Sequence, residues 1–283
     1  MLMLSPGLEH QLTELAQTIA PDKWMLVGGL MVHVHANAAA VPHSRPTNDV
    51  DVVLMPAAGT YTATATLLTS IGYRPHESLD THSPFHRFVR GAEIVDVMAT
   101  EGRSLRFLGR AVLEVPGSRS ASTRTVPLTL ESGIVVRLPD IASALSIKGA
   151  AAQTDGFFRD KHVEDGLTLL ACGSGVDLDL SKSMRRNLNV LIAALSEPAA
   201  WVAVPQDKRV RALQTIRNIR PDWNPPTGAS GSGRIQRGTR TPGGGASSQR
   251  QGRDAGGRFD FVQRAEGSVE ILNPDAALPP PDE

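Results

Sequence analysis

The spacing of apolar and polar positions changes several times along the chain, and each change marks an element. From Gly7 to Ile19, residues Leu8, Leu12, Leu15 and Ile19 fall at helical spacing, which predicts an amphipathic helix resting on a core. Residues 23–27 and 48–54 are short runs rich in Val, Leu and Met, bounded by breakers, and read as buried strands. Between them, the apolar, alanine-rich residues 30–40 read as a helix. Residues 60–71 are threonine-rich but lie between strand candidates, which predicts a helix ending at Gly72. Two strands at 85–90 and 93–99 meet across Gly91-Ala92, a hairpin signal. Residues 104–137 hold short β-like runs that either extend the sheet or form an excursion from it.

At Leu138-Pro139-Asp140 the period becomes helical, with Asp140 as the cap of a helix over 141–152. The charged run around Arg159 and Lys161 continues as helix over 163–171, and further helices follow at 181–197 behind Ser181 and at 206–219. From Pro221 onward Gly, Ser, Pro and Arg dominate until Phe259, a composition that cannot bury enough apolar surface to fold. The expected organisation is an α/β (α+β) core domain at 1–137, a mixed sheet flanked by helices. A helical domain follows at 138–220, then a disordered tail at 221–283.

Bulk properties narrow the class without naming a partner. The 283 residues carry 29 Lys+Arg and 29 Asp+Glu, so any nucleic-acid surface must be local. A local candidate is the basic helix at 206–219, where Lys208, Arg209, Arg211, Arg217 and Arg220 lie close together; a solvated helix face is its ordinary reading. In the tail, arginines such as Arg234, Arg237 and Arg240 offer salt-sensitive RNA affinity or simply solubility. Cys172, the only cysteine, lies in an apolar stretch and reads as core in a reducing compartment. The N-terminal residues lack the basic and apolar regions of a signal peptide, and the apolar stretch 24–41 is broken by Gly28-Gly29, His33, His35 and Asn37. A cytoplasmic protein with no membrane span is therefore expected.

The chemistry concentrates between Trp24 and Met55. Gly28-Gly29 closes a strand and opens a helix, where backbone N–H groups meet a ligand with no Cβ in the way and the helix dipole favours phosphate. Asp49 and Asp51 lie one residue apart on a strand, so both side chains share a face while Val50 and Val52 turn to the core. Two such carboxylates repel each other, and a divalent cation with phosphate oxygens relieves them. A phosphate cradle followed by paired aspartates describes an enzyme that handles a nucleoside triphosphate with Mg²⁺, or Mn²⁺ in its place. Taken singly, Gly-Gly is usually a turn and Asp-x-Asp a solvated strand edge; the ordered combination carries the signal. Asp96 sits in an apolar strand between Val95 and Val97 and needs a partner there. Arg45 either touches substrate phosphate or is a solvated loop residue, and Lys148 in its apolar helix either snorkels to water or has a charge to meet.

Gly28-Gly29 followed by Arg45-x-Thr47-x-Asp49-x-Asp51 resembles the signature of the DNA polymerase beta-like nucleotidyltransferase superfamily, and more narrowly the AbiEii/AbiGii-type toxin family with its MenT-like members. The resemblance covers about residues 10–200. It implies a nucleotidyltransferase-like core over 1–137, with Gly28, Gly29, Arg45 and Thr47 at the nucleotide phosphates. It also implies Asp96 as the third metal-binding carboxylate and activator of the incoming hydroxyl, and Lys148 as a neutraliser of triphosphate charge. Residues 157–165 resemble the family's R-x-K-D-x-x-D segment, which implies Arg159 and Lys161 at the phosphates, a solvated charged helix face being their other reading; His162 stands where Asp is usual, a departure that weakens Asp165 more than Lys161. The activity so implied is transfer of NMP from an NTP to an acceptor: RNA at a tRNA 3′ end, a small molecule such as an aminoglycoside, or a protein hydroxyl. The implied context is a toxin with a cognate antitoxin protein. A homologue that binds nucleotide without catalysis is the alternative from another class.

Overall fold

The computed structural model describes residues 4–229, except Ser44, Pro46 and Thr81. Helix α1 (Pro6–Thr18) leads through a short turn into strand β1 (Trp24–Leu26), helix α2 (Gly28–Ala38) and strand β2 (Asp49–Leu54). Helix α3 (Tyr61–Ser70), β3 (Arg74–Pro75), β4 (Arg87–Arg90) and β5 (Glu93–Thr100) follow. Next come short strands β6 (Arg106–Phe107), β7 (Arg110–Ala111) and β8 (Glu114–Val115), then α4 (Ser118–Ala121) and the pair β9 (Thr125–Thr129) and β10 (Val135–Pro139). Helices α5 (Ile141–Thr154), α6 (Arg159–Cys172), α7 (Lys182–Ala194) and α8 (Gln206–Ile219) complete the described chain.

The result is an α/β fold with a mixed sheet flanked by helices. The sheet runs β1-β2-β5-β4-β3, with β8 also paired to β5. β2 and β5 run parallel in a register that sets Asp51 beside Asp96, while β1 lies antiparallel to β2 on its other side. Gly91-Ala92 closes β4 onto β5 as expected, with Gly91 in the left-handed region at φ +59°. Residues 104–137 are divided three ways: β6 and β7 form a small hairpin, β8 joins the main sheet, and β9-β10 form a second hairpin.

Strand alternation splits the sheet's residues between two apolar clusters. Val50, Val52, Leu54, Val95, Val97 and Ala99 face a large cluster that runs continuously from Leu12 to Ile216. Met25, Val27, Val53 and Met98 face a small one, covered by Ala121 and by Ile147 of α5. Asp49, Asp51 and Asp96 continue this second face, where the apolar floor ends. The large cluster takes in α5, α6, α7 and α8 as well as the sheet.

Differences from the sequence reading lie mainly at boundaries. α2 begins at Gly28, two residues early, while α6 runs from Arg159 to Cys172, with Arg159 and Lys161 on a helix as expected. α7 stops at Ala194, and the next residues turn into a short 3-10 segment at Pro198–Trp201, where proline cannot continue an α-helix. Residues 221–229 were expected to belong to the tail, yet Ala229 is fully buried, Trp223 packs on the core with its indole N–H on Ser196 Oγ at 3.1 Å, and Arg209 donates to Gly228 O at 2.6 Å. A few apolar groups and one cation suffice to hold this stretch down. The rest of the expected tail, 230–283 with its arginines, lies outside the described residues. Among the described residues, no helix is long and apolar enough to cross a membrane.

Candidate metal and nucleotide site

The site forms where β1 ends. Val27 N–H donates to Asp51 O at 2.9 Å, which ties the start of α2 to the middle of β2. Gly28 then takes φ +65°, and a Cβ placed on it would lie 1.7 Å from Asp51 Oδ2. Gly29 is tight in a different direction: its Cβ would meet Arg45 Nη2 at 2.9 Å and Thr47 Oγ1 at 3.0 Å. No side chain caps α2, so the amides of its first turn have no intrahelical or capping partner, and they lie beside the carboxylates. The diglycine thus brings the backbone against Asp51 with no room for a Cβ at Gly28. We expect Gly28→Ala to cost about 1–2 kcal/mol for the left-handed backbone and to push Asp51 aside, weakening Mg²⁺ binding at least about tenfold. Gly29→Ala, at ordinary φ and against two movable side chains, should do much less; calorimetric titration of Mg²⁺ into both variants checks the ranking.

Asp49, Asp51 and Asp96 each offer a carboxylate oxygen, and these atoms all lie within 4.8 Å of one another. Burial, together with the charges of Asp49 and Asp96, pushes Asp51 up to about 7, and Lys148 and Lys161 pull the other way. Three carboxylates crowded on a half-covered strand face fit a hard divalent cation: they supply oxygen donors and negative charge, and a cation removes their mutual repulsion. Thr47 Oγ1 donates to Asp49 Oδ1 at 2.9 Å, so it fixes the first aspartate instead of facing outward to phosphate.

Asp96 has a partner that sequence reasoning missed. Arg87 Nε and Nη2 donate to its two oxygens at 2.8 and 2.7 Å, and this bonding raises the arginine's own pKa. The register places Arg87 of β4 directly across from Asp96. The signal was available: a two-residue turn at 91–92 pairs 90 with 93 and therefore 87 with 96.

Arg45 and Lys148 converge elsewhere. Arg45 Nη2 donates to both oxygens of Asp165 at 2.8 and 3.0 Å, and Lys148 Nζ donates to Asp165 Oδ2 at 2.7 Å. Burial raises the Asp165 pKa, but the two cations outweigh it and hold the carboxyl below its usual range. Asp165, which the sequence reading weakened, is therefore the hub that ties α6 to Lys148 of α5 and to Arg45. Lys148 still feels the triad electrostatically, but its amine is bound to a protein carboxylate, not open toward a phosphate. Lys161, one helical turn before Asp165, also acts on Asp51, whereas Arg159 is exposed at the start of α6 with no contact to the triad.

Other sequence candidates settle into structural roles. Burial pushes the Cys172 thiol up to about 11, as befits a core residue. His35 is buried with Nε2 at 2.9 Å from Pro139 O, and His33 lies near His43, whose pKa burial drives down to about 4. The basic helix α8 shows less open charge than expected. Lys208 is buried, Arg209 donates to Trp201 O, Val204 O and Gly228 O, and Arg211 donates to Ala39 O.

No family model matches this chain, and no curated protein matches it.

Proposed function

We propose that this chain is a Mg²⁺-dependent nucleotidyltransferase of the kind its Gly-Gly and Arg-x-Thr-x-Asp-x-Asp segments resemble, with residues 1–137 as a nucleotidyltransferase-like core. The observation that carries the reading is the convergence of the Asp49, Asp51 and Asp96 oxygens beside the left-handed Gly28 at the uncapped start of α2. Asp49 and Asp51 would hold the ion, with Asp96 as third ligand; Mn²⁺ fits the same donors. When bound, the ion supplies Lewis-acid stabilisation of charge on the transferring phosphoryl group.

The chain's own residues do the rest. The first amides of α2 orient an anionic phosphate chain through hydrogen bonds and the helix dipole. An acceptor hydroxyl oxygen attacks the α-phosphorus of the NTP, the bond from the α-phosphorus to the bridging oxygen breaks, and pyrophosphate leaves. The hydroxyl proton passes to Asp96, and Arg87 keeps that carboxylate in place. Lys148 and Lys161, whose charges both reach Asp51, offset negative charge at the site, with Lys148 held in place by Asp165.

RNA, in particular a tRNA 3′ end, is the acceptor this reading puts first, in a toxin paired with an antitoxin protein. The inward turn of Lys208, Arg209 and Arg211 favours a second reading, a small-molecule or protein hydroxyl, because it removes most of the open basic face on α8. Incubation with α-labelled NTPs, Mg²⁺ and either total tRNA, aminoglycosides or a protein extract tests both. Label should pass to one acceptor class with wild type and to none with Asp49→Ala. Identical blanks from both proteins on every acceptor would end the enzyme reading.

A further inference from the structure

The turn that launches α6 carries an aromatic ring in an unusual position. Phe157 is 73% exposed and is the only aromatic among the large exposed apolar side chains of the described residues. It is not a loose appendage. Phe158 packs edge-on against it with ring centroids 4.8 Å apart, and Lys161 Nζ lies 5.7 Å from the Phe158 ring centroid. Asp155 holds the turn from both ends: Oδ1 accepts from the Phe158 N–H at 3.0 Å, and Oδ2 lies 3.2 Å from His162 Nε2. Along α6, Asp165 is bound to Arg45 beside Gly29, and one turn earlier Lys161, whose charge reaches Asp51, lies against the Phe158 ring. The aromatic pair therefore sits where α6 begins, next in sequence to Arg159 and with Lys161 against the Phe158 ring.

We propose that Phe157, supported by Phe158, is a stacking platform for an unpaired nucleobase whose phosphate is met by Lys161 and Arg159. An exposed flat ring on an aromatic pair that a lysine approaches matches the two faces of a nucleotide, an apolar π-surface and an anion, and no aliphatic side chain would offer the first. This inference rests on the nucleotidyltransferase reading and names part of the ligand that the site receives. The base comes from one of two sources, the incoming NTP or the single-stranded end of an RNA acceptor.

Equilibrium binding to the full chain separates them. The probes are Mg²⁺–ATP, Mg²⁺–tripolyphosphate, a short fluorescein-labelled single-stranded RNA, and its abasic counterpart. Phe157→Ala should weaken at least one base-bearing probe by roughly 5- to 150-fold, leave tripolyphosphate and the abasic strand unchanged, and be restored by Phe157→Trp. Loss confined to ATP assigns the platform to the incoming nucleotide; loss confined to RNA assigns it to the acceptor. Phe157→Ala binding ATP and RNA as tightly as wild type would overturn the platform while leaving Asp49-dependent ATP binding, and so the enzyme reading, intact. Equal loss of ATP and tripolyphosphate would overturn it too, since the ring would then act through the turn. Wild type that binds none of the probes would sink both.

Discussion

Asp51→Asn is expected to yield a protein that is more stable than wild type without metal, no longer responds to Mg²⁺, and transfers nucleotide about 10³-fold more slowly. The argument starts from a carboxyl raised to about 7 by burial and by Asp49 and Asp96. Between the ordinary carboxylate value and about 7, folded Asp51 binds more protons than the unfolded chain does, so metal-free stability falls as pH rises through that window. Above about 7 the full penalty is present, of order 4 kcal/mol for a shift of roughly three units. Asparagine removes the charge, so the melting temperature at pH 8 should rise by several degrees at roughly 2–4 °C per kcal/mol. In wild type, Mg²⁺ should recover the same loss, with a larger stabilisation at pH 8 than at pH 5. Thermal melts with and without Mg²⁺ at both pH values decide the matter. An asparagine variant that gains as much from Mg²⁺ as wild type does would show that Asp51 is not a ligand.

Asp165→Ala should strongly destabilise the fold while leaving all three candidate ligands in place. It orphans Lys148, which is only 4% exposed, and frees Arg45 from its carboxylate. Removing one member of a buried ion cluster costs about 3–5 kcal/mol, because the remaining charge is left without water or partner. A fall of about 10 °C in melting temperature is the expected reading. Adding Lys148→Met should recover part of it, since the stranded amine is gone while Arg45, at the cluster's edge, can reach solvent. The pH dependence has the opposite sign to that of Asp51. The Asp165 pKa is lowered, so its contribution is present at neutral pH and lost as pH falls through its folded value. A single variant within about 1 kcal/mol of wild type would mean that the cluster contributes little.

How much of this was legible in the sequence depended on how local the cause was. The diglycine turn, the shared face of Asp49 and Asp51, and the hairpin at 91–92 follow from backbone geometry over a few residues, and all three are present. The parallel neighbour that brings Asp96 to Asp51 was reached only through resemblance, because pairing across a crossover leaves no local mark. The Arg87–Asp96 pair was open to simple register counting and was overlooked. Asp165 was not open to it: its value comes from α5 and α6 packing together, and the departure at His162 pointed attention away from it. On α8, counting cations overstated the open charge. Lys208 falls on the same helical face as Ala212, Thr215 and Ile216, all buried, so the period that predicts the helix also turns that lysine inward.

The Arg45–Asp165 bridge joins residues 120 positions apart. A chain emerging from the ribosome therefore has its three carboxylates and its diglycine long before it has the counter-charge that holds Arg45. Until the segment around Asp165 has been synthesised and has docked, Arg45 has no carboxylate to hold it beside Gly29 and the acidic face lacks one wall. Completion of the site is thereby coupled to synthesis of the second half of the chain.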